Sequence, residues 1–391
     1  MVVKECQICG NKDLEPILFL GYLPLVNKMI KVGERPTEQT RYPAELLFCP
    51  VCELVQLGYI VDKEILFPPE YPYTSSTTKI LRDNFKELYE EIDKLFIINS
   101  DDLIVDIGSN DGNLLSNFKC RVLGITPEKI GNLAIERGIP TVIDYLSFGV
   151  VWRINIEYGK ARFVTATNVF AHMDKLKDMM WCILDLLAPD GIFIIENHYL
   201  LSLIETLQYD TIYHEHLRYY SLRSLNYLLE KYGLEIIHAK RIPTHGGSIR
   251  VYASRKGNYP KFKIEEEPIS KDSLLRFKKS VIQSKLELLS ILRGKTIYGI
   301  SAPSRGSTLI NYAGIDDGIL DCIVEVKGSY KIGNYIPGTL IPIVEESKLY
   351  EDQPEYALIL SWHIADEIIK NLKTKGFKGH FIIPLPTPRI I

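Results

Sequence analysis

Leu103-Ile104-Val105-Asp106-Ile107-Gly108-Ser109-Asn110-Asp111-Gly112-Asn113 decides how the rest of the chain is read. Three apolar β-formers lead into an acidic residue, a glycine-bearing turn follows at once, and Leu114 and Leu115 start a helical pattern. A short apolar run that ends in such a turn before a helix predicts strand one of an open α/β sheet. Ligands of such sheets bind outside the carboxyl ends of the strands. Gly108 and Gly112 allow the tight backbone that a close ligand needs. The spacing D-x-G-x-x-x-G is not the dinucleotide pattern G-x-G-x-x-G, and an ordinary βα turn of some other α/β protein is the alternative reading.

Outward from this stretch, strands and helices alternate. Strands are expected at 122–125, 141–143, 163–166 and 191–196, with helices at 130–137 and 173–187 between them. Such alternation predicts a mostly parallel sheet. A helix at 222–232, ended by Gly233, and two late strands at 234–239 and 248–253 complete this unit. Upstream, a helix should run from a Thr77 or Thr78 cap to about Phe96. Downstream, the charged, proline-bearing 256–268 reads as a linker and 270–293 as one long amphipathic helix. A second α/β unit follows, with strand 295–300, turn 301–306, helix 307–312 and strands 320–326, 356–360 and 379–384. The expected division is therefore 1–75, 76–256 and 257–391.

At 391 residues and 46% hydrophobic, the chain has enough apolar material to fill two or three cores. Its net charge of −3 supplies no basic field, which argues against nucleic acid and anionic membranes as partners. No apolar run approaches the ~20 residues a membrane helix needs. The start Met1-Val2-Val3-Lys4-Glu5-Cys6 lacks an apolar signal core. A cytoplasmic location and a monomer are expected.

Four of the seven cysteines fall into two pairs, Cys6-x-x-Cys9 and Cys49-x-x-Cys52. A disulfide framework is disfavoured in a reducing compartment. Two such knuckles match a structural Zn²⁺ site, in which four thiolates complete a tetrahedron and leave no position for catalysis. Two unrelated buried pairs are the alternative. Cys120, Cys182 and Cys322 read as packing residues.

The D-x-G-x-x-x-G stretch resembles the first motif of the S-adenosylmethionine-dependent methyltransferases. The whole chain resembles the nucleotide-sugar C-methyltransferases, typified by the 3-C-methyltransferases of deoxysugar biosynthesis. The resemblance runs through the four cysteines, Gly21-x-x-Pro24-Leu25-x-Asn27, Ala166-Thr167-Asn168-Val169-Phe170-Ala171-His172 and Tyr213-His214-Glu215-His216-x-x-Tyr219-Tyr220-Ser221. It continues through His245-Gly246-Gly247-Ser248-x-Arg250, Ala302-Pro303-Ser304-Arg305-Gly306 and Pro337-Gly338-Thr339. It implies an α/β protein of three parts: a small zinc-binding N-terminal domain, a class I methyltransferase Rossmann-like domain, and a second C-terminal Rossmann-like domain that helps hold a nucleotide sugar.

The resemblance also implies site residues. Asp106, Gly108, Asn110, Gly112, Thr126, Asp144 and Asn168 are expected around S-adenosylmethionine, with Asp106 near its cationic methionine end. The family usually carries an acid where Thr126 stands, and Glu128 could reach back to that position. C-methylation needs a carbon nucleophile, which a neighbouring ketone creates by acidifying the C–H bond; a 4-keto-6-deoxy sugar would supply this at C3. His216 is assigned as the base, since an imidazole suits proton removal near neutrality. Glu215 is its partner or a sugar-hydroxyl ligand, and Tyr213 a donor to the enolate or sugar. Tyr73 is expected to face the sugar. His172, His245, Gly246, Ser304, Arg305 and Lys331 are expected around the substrate, with Arg305 and Ser304 toward the diphosphate. His214-x-His216 as a metal pair is a weaker alternative without a third ligand. Trp362-His363 and Glu325 depart from the family's usual residues. Two other classes stay open: a sugar O- or N-methyltransferase, and a non-catalytic zinc/Rossmann binding module.

Overall fold

The computed structural model describes residues 1–34, 39–67, 78–266 and 268–391. Tyr73, Thr77 and the proline-rich 68–72 lie outside the described residues.

Leu103–Ile107 is buried along its whole length, as a near-continuous apolar strand flanked by parallel neighbours should be. It lies inside a seven-stranded sheet ordered Leu234–Ile242, Ser248–Arg255, Leu187–His198, Ala161–Thr167, Leu103–Ile107, Arg121–Thr126, Thr141–Ile143. All neighbouring pairs are parallel except those made by Ser248–Arg255, which runs antiparallel to both of its partners. Strand order reverses between Leu103–Ile107 and Ala161–Thr167. That switch point opens the crevice in which ligands of such sheets bind. Gly108-Ser109-Asn110 sits on one side of it and Asn168 on the other.

Two local expectations need correction. No α-helix follows Gly112; the chain makes a single 3₁₀ turn at Leu115–Asn117. Ser116 Oγ and Asn117 Nδ2 both donate to the Asn113 carbonyl, at 2.8 and 2.9 Å, and side-chain bonds of this kind compete with a helical ladder. Conversely, Phe148–Glu157 is a helix that the apolar pattern conceals, because Phe148, Trp152 and Ile156 are exposed. Ser147 Oγ starts it by accepting from the Val150 N–H.

The N-terminal unit is a four-stranded antiparallel sheet of Glu15–Pro24, Arg41–Phe48, Val55–Leu57 and Arg218–Tyr219. Its last strand thus comes from the segment just after His216. The C-terminal unit is a six-stranded sheet ordered Ile343–Glu345, Cys322–Glu325, Ile297–Ile300, Tyr356–Ile359, His380–Ile383, Arg389–Ile390, parallel except at the last pair. Ahead of it runs the helix Lys271–Leu292, begun by a Ser270/Ser273 capping box. Its buried Leu274, Phe277, Val281 and Leu288 join Ile17, Leu20 and Leu46 of the first sheet, Ile297 of the last sheet and Leu309 of the helix Ser304–Ala313 in one apolar core. The three units are therefore packed as one body around the segment 208–219.

Candidate active site

The carboxyl ends of the central strands and the segment 209–216 bring five aromatic side chains together. His216 lies 4.2 Å from the Tyr213 ring, 5.0 Å from His172 and 4.9 Å from His198, and His198 lies 5.4 Å from His245, all between ring centroids. His172 follows the strand Ala161–Thr167, His198 ends Leu187–His198, and His245 sits in the 3₁₀ turn Thr244–Gly246 with left-handed φ of 55°. Two sheet-end imidazoles thus meet one loop imidazole, and His245 backs the second of them. His198 was not anticipated. The expected strand stopped at Glu196, which left His198 unplaced, although the carboxyl edge of a central strand is where a ligand-facing residue should be sought.

The His216 ring has a defined tautomer. Its Nδ1 lies 2.8 Å from the Thr211 carbonyl, which can only accept, so Nδ1 carries the hydrogen and Nε2 keeps its lone pair. Burial pushes its pKa down to about 4, with His245 and Arg305 adding to the effect and the Thr211 bond opposing it. Burial likewise holds His172 and His198 well below the usual range and His245 at about 4. The cluster is neutral near pH 7. His214 turns the other way, its Nε2 facing the Pro43 carbonyl at 3.3 Å, so it serves the N-terminal sheet rather than an H-x-H metal pair.

Glu215 Oε1 accepts from Asn27 Nδ2 at 2.8 Å, and Ser304 Oγ donates to Asn27 Oδ1 at 3.2 Å. Asn27, the end of the Gly21-x-x-Pro24-Leu25-x-Asn27 motif, therefore joins all three units beside the cluster. Ser304 and Arg305 are not in a turn; they open the helix Ser304–Ala313. Arg305 also departs from its expected place at a diphosphate. Its guanidinium is buried and bonded to Asp210, Gln208 and the His245 carbonyl, so it braces the loop instead of facing outward. Gly246 adopts φ +88°, and a Cβ there would come 2.7 Å from Gln208 Oε1. Lys331 donates to the Ala302 carbonyl at 2.6 Å, while Glu325 accepts from the Ala302 N–H at 2.9 Å. Both residues thus flank the turn that leads into Ser304.

On the other side of the crevice, Asp106 is buried and accepts from Thr165 Oγ1 at 2.6 Å. Burial, with Glu196 nearby, pushes its carboxyl up to about 7 despite that bond. Gly108 has φ +76°, and a Cβ would meet Val169 Cγ2 at 2.2 Å; Gly112 has φ +75° and abuts Ile139 and Ala134. Asn110 and Asn168 also take left-handed backbone, at φ 50° and 56°. Thr126 Oγ1 bonds to Glu128 Oε2, which draws that carboxylate back to the end of its strand. Asp144 is exposed and pairs with Arg153 at 3.4 Å, while its N–H donates to the Thr126 carbonyl.

The residues fit both groups that the resemblance implies. Around the crevice, the buried Ser109 Oγ, Asn113 Nδ2 and Asn168 Oδ1 have no hydrogen-bond partner among the described residues. Buried polar atoms left this way call for a ligand to satisfy them, and a carboxylate of raised pKa suits a cationic one. The Sγ atoms of Cys6, Cys9, Cys49 and Cys52 lie within 4.8 Å of one another, with Cys6–Cys52 at 3.3 Å and Cys9–Cys49 at 3.4 Å. All four are free thiols. A zinc–sulfur bond of ~2.3 Å places tetrahedral sulfurs about 3.8 Å apart, which these positions approach. Among the described residues no helix is long and apolar enough to cross a membrane.

Three family models match in sequence order: "Putative zinc binding domain" over residues 6–67, "Methyltransferase domain" over 80–239 and "C-methyltransferase C-terminal domain" over 243–386. The C-methyltransferase NovU of Streptomyces niveus is 30% identical over 411 residues, covering 100% of this chain and 97% of that protein. A solved S-adenosylmethionine-dependent methyltransferase from Anabaena variabilis covers 44% of this chain and 84% of its own at 16% identity and a TM-score of 0.33. One from Clostridium acetobutylicum covers 46% and 94% at 13% identity and a TM-score of 0.35. Scores of that size carry no argument. The end-to-end match to NovU does: the chain belongs to the zinc-containing, S-adenosylmethionine-dependent C-methyltransferase family.

Proposed function

We propose that the substrate is a nucleotide-linked 4-keto-6-deoxy sugar and that methylation occurs at C3 through an enolate formed by His216. The observation that carries this reading is the His216 tautomer: Nδ1 is occupied by the Thr211 carbonyl, so Nε2 is the atom able to take a proton. Nε2 removes the C3 proton, the C–H pair becomes the C3–C4 double bond, and the ketone oxygen takes the negative charge. A base held neutral by burial is weak on its own. Here the proton that makes an imidazolium also makes an enolate beside it, and each charge stabilises the other in a site of low dielectric. Tyr213, its phenol held far above the usual range by burial, stays protonated and can donate to that oxygen. Glu215, fixed by Asn27, is placed to take a sugar hydroxyl.

In this reading Asp106, Gly108, Asn110, Gly112, Thr126, Asp144 and Asn168 hold S-adenosylmethionine, which when bound supplies an electrophilic methyl group. Glu128 joins Thr126 at the ribose position. His172, His245, Gly246, Ser304 and Lys331 border the sugar nucleotide, and Tyr73, outside the described residues, is assigned to the sugar from the sequence alone. The units 1–75, 76–256 and 257–391 divide the work into zinc, methyl donor and nucleotide sugar. The test is a panel of nucleotide-linked 4-keto sugars incubated with S-adenosylmethionine and read by mass for the gain of one methyl group. A methyl group found on oxygen or nitrogen would refute the carbon assignment.

Asp106 adds a pH dependence. A sulfonium is stabilised by the ionised carboxylate, and this one titrates at about 7. Affinity for S-adenosylmethionine should be full above that value and fall as pH drops below it, by up to about tenfold per unit. Calorimetry at about pH 6 and about pH 8 checks this. Equal affinities would remove Asp106 from the methyl-donor site.

A further inference from the structure

Arg305 reaches from the C-terminal unit to the loop that carries the base. Its Nε and Nη2 each donate to one oxygen of Asp210 at 2.8 Å, the paired geometry that fixes a carboxylate plane. The two side chains are 7% and 1% exposed. Nη2 also donates to Gln208 Oε1 at 3.1 Å and Nη1 to the His245 carbonyl at 3.3 Å. Trp362 closes the group: its Nε1 donates to Asp210 Oδ2 at 2.8 Å, and its ring centroid lies 4.8 Å from the guanidinium carbon.

A buried ion pair is weak evidence for stability, because desolvation offsets the attraction. Its location is the informative point. Asp210 lies in the 3₁₀ turn Tyr209–Thr211, whose last residue supplies the carbonyl that sets the His216 tautomer. Tyr213, Glu215 and His216 follow within six residues. We propose that Asp210, Arg305 and Trp362 form an interdomain clasp, a positioning device that registers this loop against the C-terminal unit and keeps His216 in its base form.

The clasp rests on the reading of His216 as the base, and it acts through that residue without touching the substrate. His216 is faced by Tyr213 and Tyr219 on its own segment, with Glu215 adjoining, and by His172 and His198 from two other elements, while His245 stacks on the far side against His198. His363 lies 3.3 Å from Arg305 Nη1 through its Nδ1. A fixed cation held against His363 and the His245 carbonyl opposes protonation of the imidazoles around it, and Arg305 depresses His216, His198, His245 and His363 alike. Removing the cation leaves the Asp210 carboxylate, which favours imidazolium. Removing the carboxylate leaves the cation, which opposes it. The two substitutions act on the base in opposite directions, which a purely structural role would not produce.

The experiment uses the full chain labelled with ¹⁵N-histidine and no substrate. Wild-type His216 should remain neutral to below pH 6. In Arg305→Gln its titration should rise by about one unit, so that the protonated fraction at a given low pH grows about tenfold. In Asp210→Asn and Arg305→Lys it should not rise. Both Arg305→Gln and Asp210→Asn should lose about 10²-fold in kcat through misplacement of the loop, with S-adenosylmethionine affinity within about twofold of wild type. An identical His216 titration in wild type and Arg305→Gln, or a shift of the same sign in Asp210→Asn, would overturn the clasp. If Arg305→Gln does not fold, Trp362→Phe carries the test, since it keeps a ring and removes the Nε1–H bond. A lower kcat with an unmoved titration is expected, and an unchanged kcat would overturn the proposal. A His216→Asn protein that still turns over would instead refute the base and leave the substrate-free titration to judge the clasp.

Discussion

His216→Asn should turn over about 10²–10⁴-fold more slowly than wild type while binding both ligands nearly normally. Asn keeps a hydrogen-bonding group near Thr211 and similar bulk, but it has no lone-pair nitrogen to take a proton. A loss in kcat with retained binding is the pattern of an interaction made only in the transition state. His214→Asn should lose far less activity, because that ring faces Pro43 and not the cluster. Glu215→Gln should be intermediate: the amide still meets Asn27 but carries no charge toward a sugar hydroxyl. Steady-state kinetics with calorimetric binding of each ligand makes the comparison. Turnover within a few-fold of wild type for His216→Asn would place the base elsewhere.

Cys49→Ser should unfold the N-terminal sheet. Structural zinc contributes ~10–16 kcal/mol of apparent binding free energy, as much as the whole stability of a typical domain. Metal analysis of the wild-type protein should find about one Zn²⁺ per chain. The damage should extend beyond the zinc. Arg218–Tyr219, directly after the base loop, pairs with Val55 and Gln56, and Arg218 donates to Gln7 at 2.6 Å and to the Phe170 carbonyl at 3.2 Å. Loss of zinc should therefore abolish methylation, while the seven-stranded sheet persists and still binds S-adenosylmethionine. A Cys49→Ser protein of unchanged melting, or a wild-type protein without zinc, would contradict this.

Much of this was legible in the sequence because the signals are local. Leu103–Ile107 is apolar at every position but Asp106 and ends on Gly108, so strand, turn and crevice followed from composition alone. The cysteine knuckles are spaced for one metal. What stayed hidden depends on partners distant in the chain. Asn27 acquires meaning only when Glu215, 188 residues away, is beside it. Arg305 reads as a phosphate ligand until Asp210, 95 residues away, takes its guanidinium. Tyr209–Thr211 is too short to announce itself, yet it supplies both the clasp carboxylate and the carbonyl that sets the His216 tautomer. Thr126 departs from the usual acid, and the reach of Glu128 back to that position, open in the sequence, is made by its bond to Thr126 Oγ1.

The central claim is that the enzyme activates a sugar carbon through His216, and proton exchange tests it before any methyl group moves. A nucleotide-linked 4-keto-6-deoxy sugar is incubated with the protein in D₂O without S-adenosylmethionine and examined by NMR at C3. Wild type should exchange the C3 hydrogen for deuterium, and His216→Asn should not. Methylation of that sugar by the wild-type protein with no exchange at C3 under any condition of donor, or equal exchange by both proteins, would contradict the account.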